Sequence, residues 1–116
     1  MPAPPPEIPV VFYRTAGGLE PVRDWLRTLP VGDRQFIGHD LALVQFGWPV
    51  GMPLCRPLGA GLWEVRSTLP SRRIARVLFF FDQGRIGVVH GFIKKTQKTP
   101  PDDIALARKR MKEMTS

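Results

Sequence analysis

Between Leu62 and Lys95 the chain carries three strand-like runs in succession, with no room for a helix among them. Leu62 to Leu69 alternates: Trp63, Val65 and Ser67 lie on one face, Leu62, Glu64, Arg66 and Thr68 on the other. Arg72 to Asp82 (RRIARVLFFFD) is apolar on both faces towards its end, the pattern of a strand buried in the middle of a sheet. Gln83-Gly84 is a two-residue hairpin signal, and Arg85 to Lys95 is the third run. Runs this closely linked should pair antiparallel, because a parallel return needs a crossover of a dozen or more residues. Period-two spacing puts Ile86, Val88, His90, Phe92 and Lys94 on one face of the last strand, and Val89, Gly91, Ile93 and Lys95 on the other.

The rest of the chain has to cover this meander. Residues 1–7 (MPAPPPE) are expected to form a loose proline-rich lead-in, since proline fixes φ and lacks an N–H. Residues 8–116 are short enough for a single domain with one core. Ile8 to Arg14 (IPVVFYR) reads as a first strand, ended by Ala16-Gly17-Gly18. Pro21 opens a helix whose apolar face is Val22, Trp25, Leu26 and Leu29, and Pro30 stops it. Asp33 is expected to cap a second helix running to about Phe46, with Ile37, Leu41 and Val44 as its stripe and Gly47 as a left-handed stop. Residues 48–61 are dense in proline and glycine and are expected to be loop. A last helix should begin near Pro100, capped by Thr99, with Asp102 and Asp103 at its positive end. Its stripe is Ile104, Ala107, Met111 and Met114. The order β-α-α-β-β-β-α predicts an α+β fold: a mostly antiparallel four-stranded sheet with a helical hairpin across one face. The other face is then open, or partly covered by the last helix.

Charge is unevenly spread along this plan. Residues 1–62 hold five Lys/Arg and five Asp/Glu; residues 63–116 hold twelve and five, the whole net excess of +7. Segregated positive charge points to one basic face and a phosphate-rich partner rather than to general solubility. Cys55 is the only cysteine, so an internal disulfide is impossible, and with only His39 and His90 to join it a zinc site is not expected. The chain shows no charged-then-apolar leader, and its longest apolar run, Val77 to Phe81, has strand length. A reducing, cytoplasmic setting is the expectation.

Several of these residues carry a resemblance. The order of elements, the LWEVRS strand, the arginines of RRIARV, and HGFIKKTQKTP running into ALARKRM resemble the HigB/RelE superfamily of toxins, most closely its phage-derived HigB-like branch. The resemblance spans roughly residues 9–114, and the HGF-x-KK-x-x-K-TP segment is its most specific part. It implies a RelE-like fold and a ribonuclease that cuts mRNA in the ribosomal A site without metal or other cofactor. It also implies a co-encoded antitoxin, usually one with a helix-turn-helix DNA-binding domain.

The residues themselves supply the parts such chemistry needs. Metal-free RNA cleavage uses the 2′-hydroxyl as nucleophile, cations for the phosphorane charge, and groups that move protons. Arg66 and Arg76 are candidates for the equatorial phosphate oxygens, since a guanidinium is a planar fork. Arg66 could equally be spent in a salt bridge with Glu64, and Arg76, set among hydrophobes, needs either a partner or a groove. Lys94 is the preferred lysine, sharing parity with His90 and Phe92. His90 is either a proton shuttle or a hydrogen-bonded core group. Arg56, Phe92, Lys95 and Lys98 are candidate RNA contacts, Phe92 by stacking. In relatives a tyrosine often stands where Phe92 appears here, which moves proton transfer to His90 or a lysine. Glu64 is a possible base, or orients Arg66. A non-catalytic RNA-binding or regulatory domain on the same fold is the second reading. A DNA-binding domain fits less well, since the helices of the hairpin carry balanced charge.

Overall fold

The computed structural model describes residues 8–116; the proline-rich lead-in 1–7 lies outside the described residues. Five strands and three helices follow in the order β1 (Val10–Phe12), α1 (Pro21–Arg27), α2 (Val31–Gly47), β2 (Cys55–Gly59), β3 (Leu62–Thr68), β4 (Ile74–Asp82), β5 (Arg85–Ile93) and α3 (Pro101–Thr115). The fold is α+β, as expected, but the sheet has five strands in the order β1-β5-β4-β3-β2. β4 sits in the middle, in keeping with its two apolar faces. The meander β2–β5 is antiparallel throughout, while β1 joins β5 in parallel. The Gln83-Gly84 turn is present, with φ of 50° and 74°, the left-handed pair that a tight hairpin requires.

The fifth strand, β2, lies where loop was expected. Cys55 to Gly59 pairs with β3 and turns back through Gly59, Ala60 and Gly61, all at positive φ. Pro57 is tolerated because β2 is an edge strand, where one side of the backbone faces solvent.

Three expected caps are corrected. α2 begins at Val31 after Pro30, and Asp33 lies inside its first turn. The Asp33 side chain is 1% exposed. It accepts the Ser71 N–H at 3.2 Å and faces the Arg73 Nη2 at 3.3 Å, which ties α2 to the β3–β4 turn. Gly47 is the last helical residue, and Trp48 ends the helix at φ −56° with its N–H on the Val44 carbonyl. Pro100, not Thr99, precedes α3, and the Thr99 side chain turns inward.

The helices sandwich the sheet. Val22, Leu29, Ile37, Leu41 and Val44 of the hairpin region pack on Val65, Val77, Phe79 and Val88. On the opposite face Ile104, Ala107, Met111 and Met114 of α3 cover Leu62, Leu78, Phe80 and Val89. Arg108 donates to the Leu58 and Gly59 carbonyls, and Arg110 donates to the Val89 carbonyl while its guanidinium lies 5.0 Å from the Tyr13 ring centre. These two arginines therefore staple α3 to the sheet. No described helix is long and apolar enough to cross a membrane.

β5 carries a bulge that changes its parity. Leu78 pairs with His90 but Phe79 pairs with Val88, so Val89 is one residue too many for its partner strand. The single shared face read from spacing is corrected accordingly. Ile86 and Val88 face the helical hairpin, whereas Val89 and Phe92 pack on the α3 side, where His90 meets Asp103.

Candidate nucleic-acid interface

Beyond the start of α3 the same sheet face continues under the 97–99 loop, and the pairing register lays charged side chains across it. Arg66, Arg76 and Phe92 form one row across β3, β4 and β5; Glu64, Leu78 and His90 form the next. Lys94 follows at the strand end, its N–H donated to the Ile74 carbonyl. Arg66, Arg76 and Lys94 thus come to one side of the molecule.

They do not present themselves equally. Arg66 is exposed and has no ion-pair partner among the described residues. Arg76 is 2% exposed. Its Nη1 donates to Thr99 Oγ1 at 2.8 Å and its Nη2 to the Gln97 carbonyl at 2.7 Å, while Glu64 Oε2 lies 3.9 Å from Nη1. Thr99 donates its own O–H to Glu64, and Arg56 Nε lies 3.4 Å from the other Glu64 oxygen. Glu64 therefore orients Arg76 and Arg56 across the sheet, not Arg66 along its own strand. The network pins the 97–99 loop to the strands. Arg76 Nε remains buried without a partner.

Two recesses open over this network. One, of about 160 Å³, is lined by Arg56, Glu64, Arg66, Arg76 and Gln97. The other, of about 400 Å³, is lined by Arg72, Lys94, Lys95, Thr96 and Gln97, and Gln97 is shared by both. The Lys94 ammonium is held below its usual range, first by partial burial and then by the charges of Arg66 and Arg76, with Glu64 opposing. Three cations are close enough to feel one another, which suits a site waiting for an anion.

His90 goes elsewhere. Its Nε2 lies 2.7 Å from Asp103 Oδ1 on α3, and its ring stacks obliquely on Phe92 at 5.4 Å. It borders a third recess with Trp25, Gly91 and Arg110, which shares no lining residue with the other two. Lys98 is exposed but lines neither cationic recess. Of the residues singled out in the sequence, then, Arg56, Arg66, Arg76, Lys94 and Lys95 are gathered, and His90 and Lys98 are not. Phe92 stands between the two groups. Sequence reasoning missed Thr99 and Arg72 as parts of this site. For Thr99 a signal existed, since a threonine before two prolines has no free turn of its own to cap.

Fold and site together define a small α+β protein with a cationic, phosphate-sized opening at one end of an antiparallel meander. The family model described as Phage derived protein Gp49-like (DUF891) matches residues 24–112, and the chain belongs to that family, a RelE/HigB-like toxin family of toxin–antitoxin systems. A search of curated proteins returns no match. Membership makes the protein a toxin-family member with an antitoxin as its implied partner.

Proposed function

We propose that the protein is an mRNA endoribonuclease that acts on the translating ribosome by attack of the 2′-hydroxyl, and so inhibits translation. The observation that carries this reading is the convergence of exposed Arg66 and half-buried Lys94 above the fixed Arg76–Glu64–Thr99 network. Arg66 grips the scissile phosphate and stabilises the charge of the phosphorane. The 2′-oxygen bonds to phosphorus while its proton passes to solvent, and the bond to the 5′-oxygen breaks. Lys94, an ammonium made more acidic by its neighbours, protonates that 5′-oxygen and recovers its proton from solvent. The products are a 2′,3′-cyclic phosphate and a 5′-hydroxyl. Arg76 is a positioning residue: it holds Glu64 and the 97–99 loop and touches no substrate. Arg56, Arg72 and Lys95 guide the flanking backbone. The antitoxin, carrying a helix-turn-helix domain, covers this opening with acidic or apolar segments.

A second reading, an RNA-binding module without turnover, draws on a specific observation. Glu64 is consumed by its partners, and the His90–Asp103 pair lies outside the cationic recesses. Regulated expression without antitoxin separates the two. Growth arrest with new 5′-hydroxyl ends in cellular mRNA is expected, and Lys94→Ala or Arg66→Ala should abolish it without lowering the unfolding temperature. Normal growth with folded protein bound to RNA would replace the nuclease by the binding module.

A further inference from the structure

The cationic opening does not end at Arg66. An open groove of about 450 Å³ leads from it along α2, lined by Phe36, Asp40, Pro53, Leu54, Arg66 and Thr68. It shares Pro53, Leu54 and Arg66 with the recess beside Arg76, so the two form one continuous track. Its size is that of a small-ligand site. Two features are unexpected in a track that serves a phosphate backbone. Phe36 is a large aromatic ring left 50% exposed. Asp40 is a carboxylate one helical turn further on, on the same side of α2, with no ion-pair partner among the described residues. A carboxylate repels phosphate, so at this place in the groove it favours a ligand group that donates hydrogen bonds.

We propose that Phe36 and Asp40 form a guanine-selective subsite for the nucleotide next to the phosphate held by Arg66. The inference rests on the reading of this face as an RNA site and adds the base it selects. Unstacked RNA bases are recognised by an aromatic platform together with hydrogen bonds to their pairing edge. Guanine alone presents two adjacent donors there, N1–H and the N2 amino group, which match the two oxygens of a carboxylate. Cytosine and adenine offer one amino group beside a ring acceptor, and uracil one N–H between two carbonyls. Each of these sets an acceptor against Asp40, so the carboxylate rejects them as well as choosing guanine. Phe36 supplies affinity for any base, and Asp40 supplies the choice.

The test uses the full chain and four short single-stranded RNAs with 2′-fluoro substitution at the scissile position, identical except for guanine, adenine, cytosine or uracil at the flanking base. Wild type should bind the guanine strand at least about fivefold more tightly than the others, the discrimination of one good bidentate pair. Asp40→Asn should erase that preference, weakening the guanine strand and tightening the other three, because the repulsion against their acceptors goes with the carboxylate. Phe36→Leu, which keeps an apolar side chain on the helix, should weaken all four together. Equal binding of all four strands by wild type, or a guanine preference that survives Asp40→Asn, would overturn the subsite while leaving the cationic opening in place. Absence of binding to any strand, whether free or placed in the ribosomal A site, would overturn it along with the RNA reading.

Discussion

Two arginines that look alike in the sequence do opposite jobs. Arg66 reaches solvent and Arg76 is sealed beneath it, though they are direct neighbours across β3 and β4. Removing Arg76 would leave Thr99 and the Gln97 carbonyl without their donor and buried Glu64 with Arg56 as its one cation, a loss on the order of 3 kcal/mol. Arg76→Ala should therefore lower the denaturation midpoint sharply. Arg66→Ala should leave stability within about 0.5 kcal/mol and still abolish tight RNA binding, measured by anisotropy. Lys94 gives a pH signature. Its ammonium is depressed below the ordinary 10.5 by burial, Arg66 and Arg76, so it sheds its proton earlier as pH rises. RNA affinity should decline on the alkaline side before pH 10.5 is reached, and Lys94→Arg should extend binding to higher pH. Cys55 is the buried first residue of β2, and burial, with Asp40 nearby, pushes its thiol up to about 11. A thiol-specific reagent at neutral pH should label it only after denaturant is added. The identities at the site were legible because lysine and arginine in strands are conspicuous. Their division of labour was not, since it depends on the 97–99 loop folding back onto β3 and β4.

At the scale of elements, the meander was readable and its two irregularities were not. Alternation, a two-residue turn and a doubly apolar run specify β3, β4 and β5 from local sequence alone. β2 escaped because Pro57 and its flanking glycines look like loop, and only an edge position makes them acceptable in a strand. The bulge at Val89 escaped for a different reason: one extra residue leaves the residue types unchanged and alters only their phase. It swings the distal half of β5, so that Gly91 faces α1 while His90 meets α3. Gly91 marks the tightest consequence. A Cβ there would sit 2.5 Å from the Trp25 ring, so α1 packs directly on the strand backbone. Gly91→Ala should cost about 1–3 kcal/mol by overpacking, read as a lowered unfolding midpoint. Trp25→Leu introduced with it should restore part of the loss, since the obstacle is that ring.

For the whole molecule, acidity and ionic strength separate the structural ties from the working surface. The Asp33 carboxyl is held below its ordinary 3.8, chiefly by the Ser71 hydrogen bond and also by Arg73, against the opposing effect of burial. A carboxyl depressed in the folded state adds stability that is complete above the unfolded value and is lost as pH falls through the folded one. Thermal unfolding followed from about pH 5 downward should show this loss, and Asp33→Asn should flatten it. RNA affinity should instead respond to salt, with log affinity falling by about 0.7 per phosphate contact for each unit of log salt. The uneven charge of the two halves of the chain foretold that surface, while its location had to wait for the fold. Pro100 and Pro101 settle one more property of it. A residue ahead of a proline is kept out of helical geometry, so α3 cannot grow backwards over the 94–99 loop. The ceiling of the sheet stops at a fixed line, and the doorway beyond it has no shutter drawn from that helix.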